Sequence, residues 1–227
     1  MLTNNMLSIS GIDGCGKTTQ LKKIVMLYQK KGAKCIEYNQ LEPTEPIENM
    51  NNYFNLLKPY DVIMMRPYAR STEQMHIMNL ISADINAHRY LVNDLIDLII
   101  EDITHWFDVV VLKLLAMNKI LLFDRYCWDE LSYLFFYTNH LEKIDNFVSS
   151  LPHPKSTYLS IDLKTMKSRN INRSDRKKYI FSKDKYIKKI LNGYDLYVLP
   201  KCDISIPASL DIDSINNKIL TDLEVLI

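Results

Sequence analysis

Gly11-Ile12-Asp13-Gly14-Cys15-Gly16-Lys17-Thr18-Thr19 places three of the chain's five glycines within six residues and follows them with a lysine and two hydroxyls. This is the spacing G-x-x-x-x-G-K-[ST], whose chemistry is phosphate binding. Glycines let a loop turn its backbone N–H groups inward around an anion, and the N-terminus of the next helix adds partial positive charge. In that arrangement Lys17 reaches the outer phosphates as a mobile point charge and the Thr18 hydroxyl takes Mg²⁺. The expected ligands are ATP or GTP with Mg²⁺, held by Gly11, Asp13, Gly14, Cys15, Gly16, Lys17, Thr18 and Thr19. The motif alone names no reaction.

A second charged group, Asp124-Arg125-Tyr126, follows the apolar run at 119–123. A carboxylate there can hold Mg²⁺ or its waters, and the planar fork of Arg125 suits a second phosphate. The third group is Arg169, Arg173 and Arg176, followed by Lys177 and Lys178. Residues 164–189 carry eight Lys and three Arg against two Asp. Arginines three or four apart share a helix face. If that segment closes as a lid over a nucleotide, an arginine on the transferring phosphoryl group contributes roughly 10³ to 10⁵ in rate. A solvated charged face is the plainer alternative.

Elements must bring these groups together. Apolar runs at 6–10, 34–38, 61–65, 119–123, 157–161 and 203–206 read as strands, that at 61–65 the weakest. Helical spacing occupies 18–31, 72–81, 87–103, 129–137, 163–170, 182–198 and 213–223, while 41–60, with Pro43, Pro46 and Pro59, reads as a loop or small insertion. Such alternation predicts a parallel sheet wrapped by helices, with strand C-termini facing a ligand crevice. Asp124 and Arg125 then emerge beside the phosphate loop.

Composition sets few limits: 227 residues, 47% of them hydrophobic, suit one α/β domain spanning 1–227. A formal charge of +1 gives no sign of a nucleic-acid or membrane-surface partner. Cys15, Cys35, Cys127 and Cys202 form no zinc spacing and read as reduced thiols of a cytoplasmic protein. No signal peptide is expected, and the apolar stretch 91–122 holds too many charges to span a membrane.

Several segments together resemble the thymidylate kinases, a branch of the nucleoside monophosphate kinases. GIDGCGKTTQL is similar to that family's G-x-D-G-x-G-K-[ST]-T-Q, RPYARSTE (66–73) to its R-F-P-x-R-S-T-E, and LLFDRY to its V-x-x-D-R-Y. LPHPKSTYLSID, RNINRSDR and the closing CDISIPASLDIDSINNKI resemble the approach to its fourth strand, its lid, and its last strand and helix. The resemblance implies a P-loop NTPase fold with a five-stranded parallel sheet flanked by helices and a mobile lid at about 165–182. It implies ATP and Mg²⁺ on Lys17, Thr18 and Asp124, with Asp13 approaching the acceptor sugar. Arg70 and Arg125 would bind the acceptor phosphate, Arg66 would also bind substrate, and Arg173 and Arg176 would be lid arginines, all acting in phosphoryl transfer to a deoxynucleoside monophosphate such as dTMP. Family members are often two-fold dimers, and Leu91, Leu95, Leu98 and Ile99 suit such an interface or the core.

Departures fall at defined positions. Ser10 stands where the family usually has a glutamate, and Asp129 and Leu134 where it commonly has a serine and a glutamine or threonine. Ile81 and Ile85 replace a base-stacking phenylalanine and a base-reading arginine, for which Arg89 is the nearest substitute. About twenty residues appear added between Ile85 and Asp124. Tyr68, Tyr126, Trp128 and Tyr133 are candidates for base stacking or for the core. Two rival readings stay open: a deoxynucleoside kinase with Glu37 or Glu42 as base, and a nucleotide-binding protein without turnover.

Overall fold

In a computed structural model, which describes residues 5–37, 50–67, 70–170 and 184–225, six strands form one all-parallel sheet in the order β2-β3-β4-β1-β5-β6. They are β1 (Met6–Ser10), β2 (Cys35–Glu37), β3 (Val62–Met65), β4 (Ile120–Asp124), β5 (Lys155–Ser160) and β6 (Ile204–Pro207). The five-stranded expectation is therefore corrected. The weak run at 61–65 is a true strand, inserted between β2 and β4, and all four of its residues are buried. A strand covered on both faces reads as a continuous apolar run without alternation, which is why its signal was faint.

Helices cover both faces. In chain order they are α1 (Lys17–Lys30), α2 (Met50–Leu57), α3 (Thr72–Ala83), α4 (Ile85–His88), α5 (Val92–Trp106), α6 (Leu112–Ala116), α7 (Asp129–Leu134), α8 (Glu142–Ser150), α9 (Leu163–Asn170), α10 (Asp184–Gly193) and α11 (Ile212–Asp222). On one face Leu21, Ile24 and Val25 of α1 and Ile215 and Ile219 of α11 pack on Leu7, Ile9 and Leu122. On the other, Leu95, Ile96, Ile99 and Ile103 of α5 pack with Leu121 and Phe123. Burying each such side chain contributes roughly 1.5–3 kcal/mol. The apolar side of α5 is thus spent on the chain's own core, Leu95 and Ile99 included.

The helix expected at 87–103 is interrupted. Asp84 accepts from Asn86 N and Ala87 N to start α4, a 3₁₀ turn follows at Arg89–Leu91, and α5 runs through a π turn at Phe107–Val111 into α6. The stretch 41–60 contains α2 at its described end, and Pro43 and Pro46 lie outside the described residues. No helix among the described residues is long and apolar enough to cross a membrane.

The chain leaves β1 in one direction along the sheet and returns to its other side at β5, so the strand order reverses at β1. Clefts open at such a reversal, outside the strand C-termini. Ile9 is paired with Asp124, which brings the glycine loop and the end of β4 to the same edge.

Candidate active site

The loop from Gly11 to Gly16 joins β1 to α1, as the strand-loop-helix order of the motif requires. Gly11 has φ +140°, and a Cβ there would sit 2.8 Å from the carbonyl oxygen of Leu159 and 2.8 Å from Cys15 Sγ. Gly16, at φ +105°, is the N-cap of α1 and brings no side-chain oxygen to it. No acidic residue stands in that helix's first turn. Its unpaired N–H groups and positive end are therefore left for an anion. Lys17 is buried, and its Nζ donates to the Ile12 carbonyl at 3.1 Å, bridging the loop it serves.

Across the loop, Thr18 Oγ1 donates to Asp124 Oδ2 at 2.5 Å. Two hard oxygen donors thus meet beside a helix N-terminus. Mg²⁺ prefers oxygen and takes most of its shell from water and phosphate, so one hydroxyl and one carboxylate fit it. Among the described residues no group of three or more His, Cys, Asp and Glu is placed to hold a metal.

Arg125 has φ +82°, in the left-handed region, which costs a side-chain-bearing residue about 1–2 kcal/mol. Its backbone N–H donates to Ile9 O at 3.0 Å. Nη1 donates to Gly11 O at 2.7 Å, to Tyr194 Oη and, at 3.4 Å, to Asp129, and Nη2 pairs with Asp13. The Tyr133 ring lies 5.5 Å from the guanidinium. Burial opposes the guanidinium's charge, but Tyr133, Tyr194, Asp13 and Asp129 more than offset it, and Arg125 is held well above its ordinary value. Its Nε and second Nη2 hydrogen meet no acceptor among the described residues. Those donors are what a bound anion could use.

Arg70 pairs with Glu130 of α7 at 3.0 Å. It is placed by its neighbour Ser71, which caps α3 through Gln74 N at 3.2 Å and donates through both N and Oγ to Asp102 of α5. Asp13, Arg70, Arg125 and Tyr133 therefore lie on elements that meet at Arg125 and α7. Arg66 and Arg89 are exposed, and Arg89 lies near Lys189 of α10, where its charge, after burial, helps lower that ammonium. Tyr126 and Trp128 are core residues with ring centres 4.5 Å apart, so they are not available for base stacking. Ile81 is also fully buried. Glu37 bridges Lys22 at 3.0 Å on the outermost strand, three strands from β1, and does not join the site. Arg173, Arg176, Tyr68 and Glu42 lie outside the described residues.

One residue of the arginine trio has a different place from the one its spacing suggested. Arg169, in the last turn of α9, donates to Ala208 O at 2.7 Å and approaches the Gly14 and Cys15 carbonyls at 3.4 and 3.5 Å. The expected lid range 165–182 thus begins inside a packed helix in which Met166 is fully buried. Arg169, Gly14, Ala208, Leu210, Ile212 and Ile215 line a cavity of about 390 Å³ that opens on the glycine loop. A planar base fits between apolar side chains and a guanidinium plane. Ala208 and Leu210 lie in the closing segment CDISIPASLDIDSINNKI, which reads as a strand and helix and not as part of a site. A second hollow of about 350 Å³, between the ends of β5 and β6 and α10, is lined by Tyr158, Asp162 and Asp195 and, among the described residues, by no cation.

No family model matches the chain, and no curated protein matches it, so the likeness to thymidylate kinases stands on the quoted segments alone.

Proposed function

We propose that the chain is a P-loop kinase that transfers the γ-phosphoryl group of ATP to a deoxynucleoside 5′-monophosphate, with dTMP the acceptor that the resemblance implies. The observation carrying this reading is the Thr18–Asp124 hydrogen bond at 2.5 Å, which joins the glycine loop to the Asp-Arg-Tyr segment at one strand edge. Thr18 and Asp124 would hold Mg²⁺, which when bound offsets charge on the β- and γ-phosphates. Lys17 leaves the Ile12 carbonyl to meet the transferring group. Arg125, with Arg70 behind it, grips the acceptor phosphate through its remaining donors. An acceptor phosphate oxygen attacks the γ-phosphorus as the bond to the β-phosphate oxygen breaks, so ADP leaves and no covalent enzyme intermediate forms. The rate comes from positioning and charge neutralisation. The cavity beside Arg169 takes the base of ATP.

One observation favours a second reading, a deoxynucleoside kinase. Arg125 and Arg70 already pair with Asp13, Asp129 and Glu130, and an uncharged 5′-hydroxyl would need neither arginine released. In that case Asp13 or Glu130, not Glu37, would stand nearest to take the hydroxyl proton.

ADP release with ATP and Mg²⁺, measured against each common nucleoside, deoxynucleoside and 5′-monophosphate, separates the readings. Turnover on a monophosphate and not on its nucleoside supports the first. Turnover on a nucleoside overturns it in favour of the second. No turnover across the panel with ATP bound overturns both.

A further inference from the structure

We propose that Asp129 is a positioning residue for Arg125, gathering the end of β1, the glycine loop and Tyr194 around the guanidinium. The inference rests on the kinase reading for its kinetic consequence but not for its geometry. Asp129 lies in the first turn of α7 and is 2% exposed. Five donors converge on it: Ser10 Oγ at 2.5 Å, Tyr126 N at 3.0 Å, Tyr194 Oη at 3.0 Å, Gly11 N at 3.3 Å and Arg125 Nη1 at 3.4 Å. They come from β1, the glycine loop, the end of β4 and the turn after α10.

The direction of these bonds is fixed. Trp128 Nε1 donates to Ser10 Oγ at 3.0 Å, so the Ser10 proton is free to go to Asp129. Tyr194 Oη takes Arg125 Nη1, so its own proton also goes to Asp129. A carboxylate that only accepts is suited by the ionised form, although burial raises its carboxyl above the ordinary range. A buried carboxylate flanked by a guanidinium and ordered hydroxyls fixes one geometry because every alternative leaves a charge unpaired. Here that geometry holds the Nη1 edge of Arg125 against the loop and keeps its other edge for a ligand.

The test uses Asp129→Asn, nearly the same shape without the charge, and Ser10→Ala, which removes one of the five donors and leaves the carboxylate in place. A charge-assisted hydrogen bond is worth about 1.5–3 kcal/mol, so Asp129→Asn should lower kcat by about ten- to a hundredfold with the KM for ATP within about twofold. Ser10→Ala should lower kcat in the same direction and by less. An equal loss of ATP affinity and turnover in Asp129→Asn would overturn the proposal. The arginine ¹⁵N spectrum decides the geometry without turnover. In the wild type the Arg125 Nη signals should be separate, through hindered rotation, and in Asp129→Asn the Nη1 signal should shift and broaden while cooperative melting persists. Unchanged signals would overturn the positioning role, whereas a wild type without any acceptor but with separate signals would count only against the kinase reading.

Discussion

Arg169 shows how a single guanidinium can connect carbonyls of two segments far apart in the chain. Its contacts with Gly14, Cys15 and Ala208 tie the glycine loop to the chain after β6, whereas Arg125 meets that loop at Gly11 and Asp13. The two arginines should therefore fail differently. Removing Arg169 loosens the cavity beside the loop, so Arg169→Ala should weaken ATP binding by about tenfold or more, as loss of hydrogen bonds from a charged donor implies, with kcat much less affected. Arg169→Lys should not restore affinity, because a point charge cannot span the carbonyls that a planar fork bridges. Calorimetric titration with ATP checks this against acceptor titration. A variant that binds ATP normally but turns over slowly would place Arg169 with the transferring group instead.

Helix contacts set how rigidly Tyr194 presents itself to Arg125. Gly193, the last residue of α10, passes α7 so closely that a Cβ would lie 2.9 Å from both Cα and the carbonyl oxygen of Ser132. Its φ of −62° is ordinary, so alanine would gain about 1 kcal/mol in helix propensity and no backbone strain arises. The clash is with backbone, which cannot give as a flexible side chain would, and overpacking costs about 1–3 kcal/mol. Gly193→Ala should thus lower the melting temperature and shift Tyr194 away from Arg125, whereas a rise in melting temperature would mean α10 can slide without cost. Such contacts explain what the sequence could and could not reveal. The glycine loop, the Asp-Arg-Tyr segment and α9 were legible because their signals are local. The helix α8 was not, since only Ile144 and Val148 of its nine residues are buried. The reach of Arg169 to Ala208 and of Asp129 to Ser10 joins residues far apart in the chain, and no local spacing encodes either.

At the scale of the whole molecule, Asp129, Asp162 and Asp211 are of two kinds, whose titrations act on stability with opposite sign. Asp211 caps α11 by accepting from Ser214 N at 2.8 Å and Ser214 Oγ at 2.6 Å, and these bonds lower it below its ordinary value of 3.8. Asp162 does the same for α9 through Thr165. For such groups the unfolded chain takes up a proton first, so their stabilisation is present above about 3.8 and lost as pH falls through the lower folded value. Asp129 is raised by burial, so its contribution is present below 3.8 and lost as pH rises through the higher folded value. Asp211→Asn keeps one capping oxygen for Ser214 N and replaces the other by an NH₂ group, as protonation replaces it by OH, so it removes the charge and its titration. Its melting temperature should lie below that of the wild type near pH 7, and the two should converge as pH falls towards 2 to 3, where Asp211 is itself protonated. A gap that stays constant from neutral to acid pH would mean the carboxylate's charge contributes nothing to the cap. A gap that widens in acid would mean the Ser214 bonds hold the protonated form.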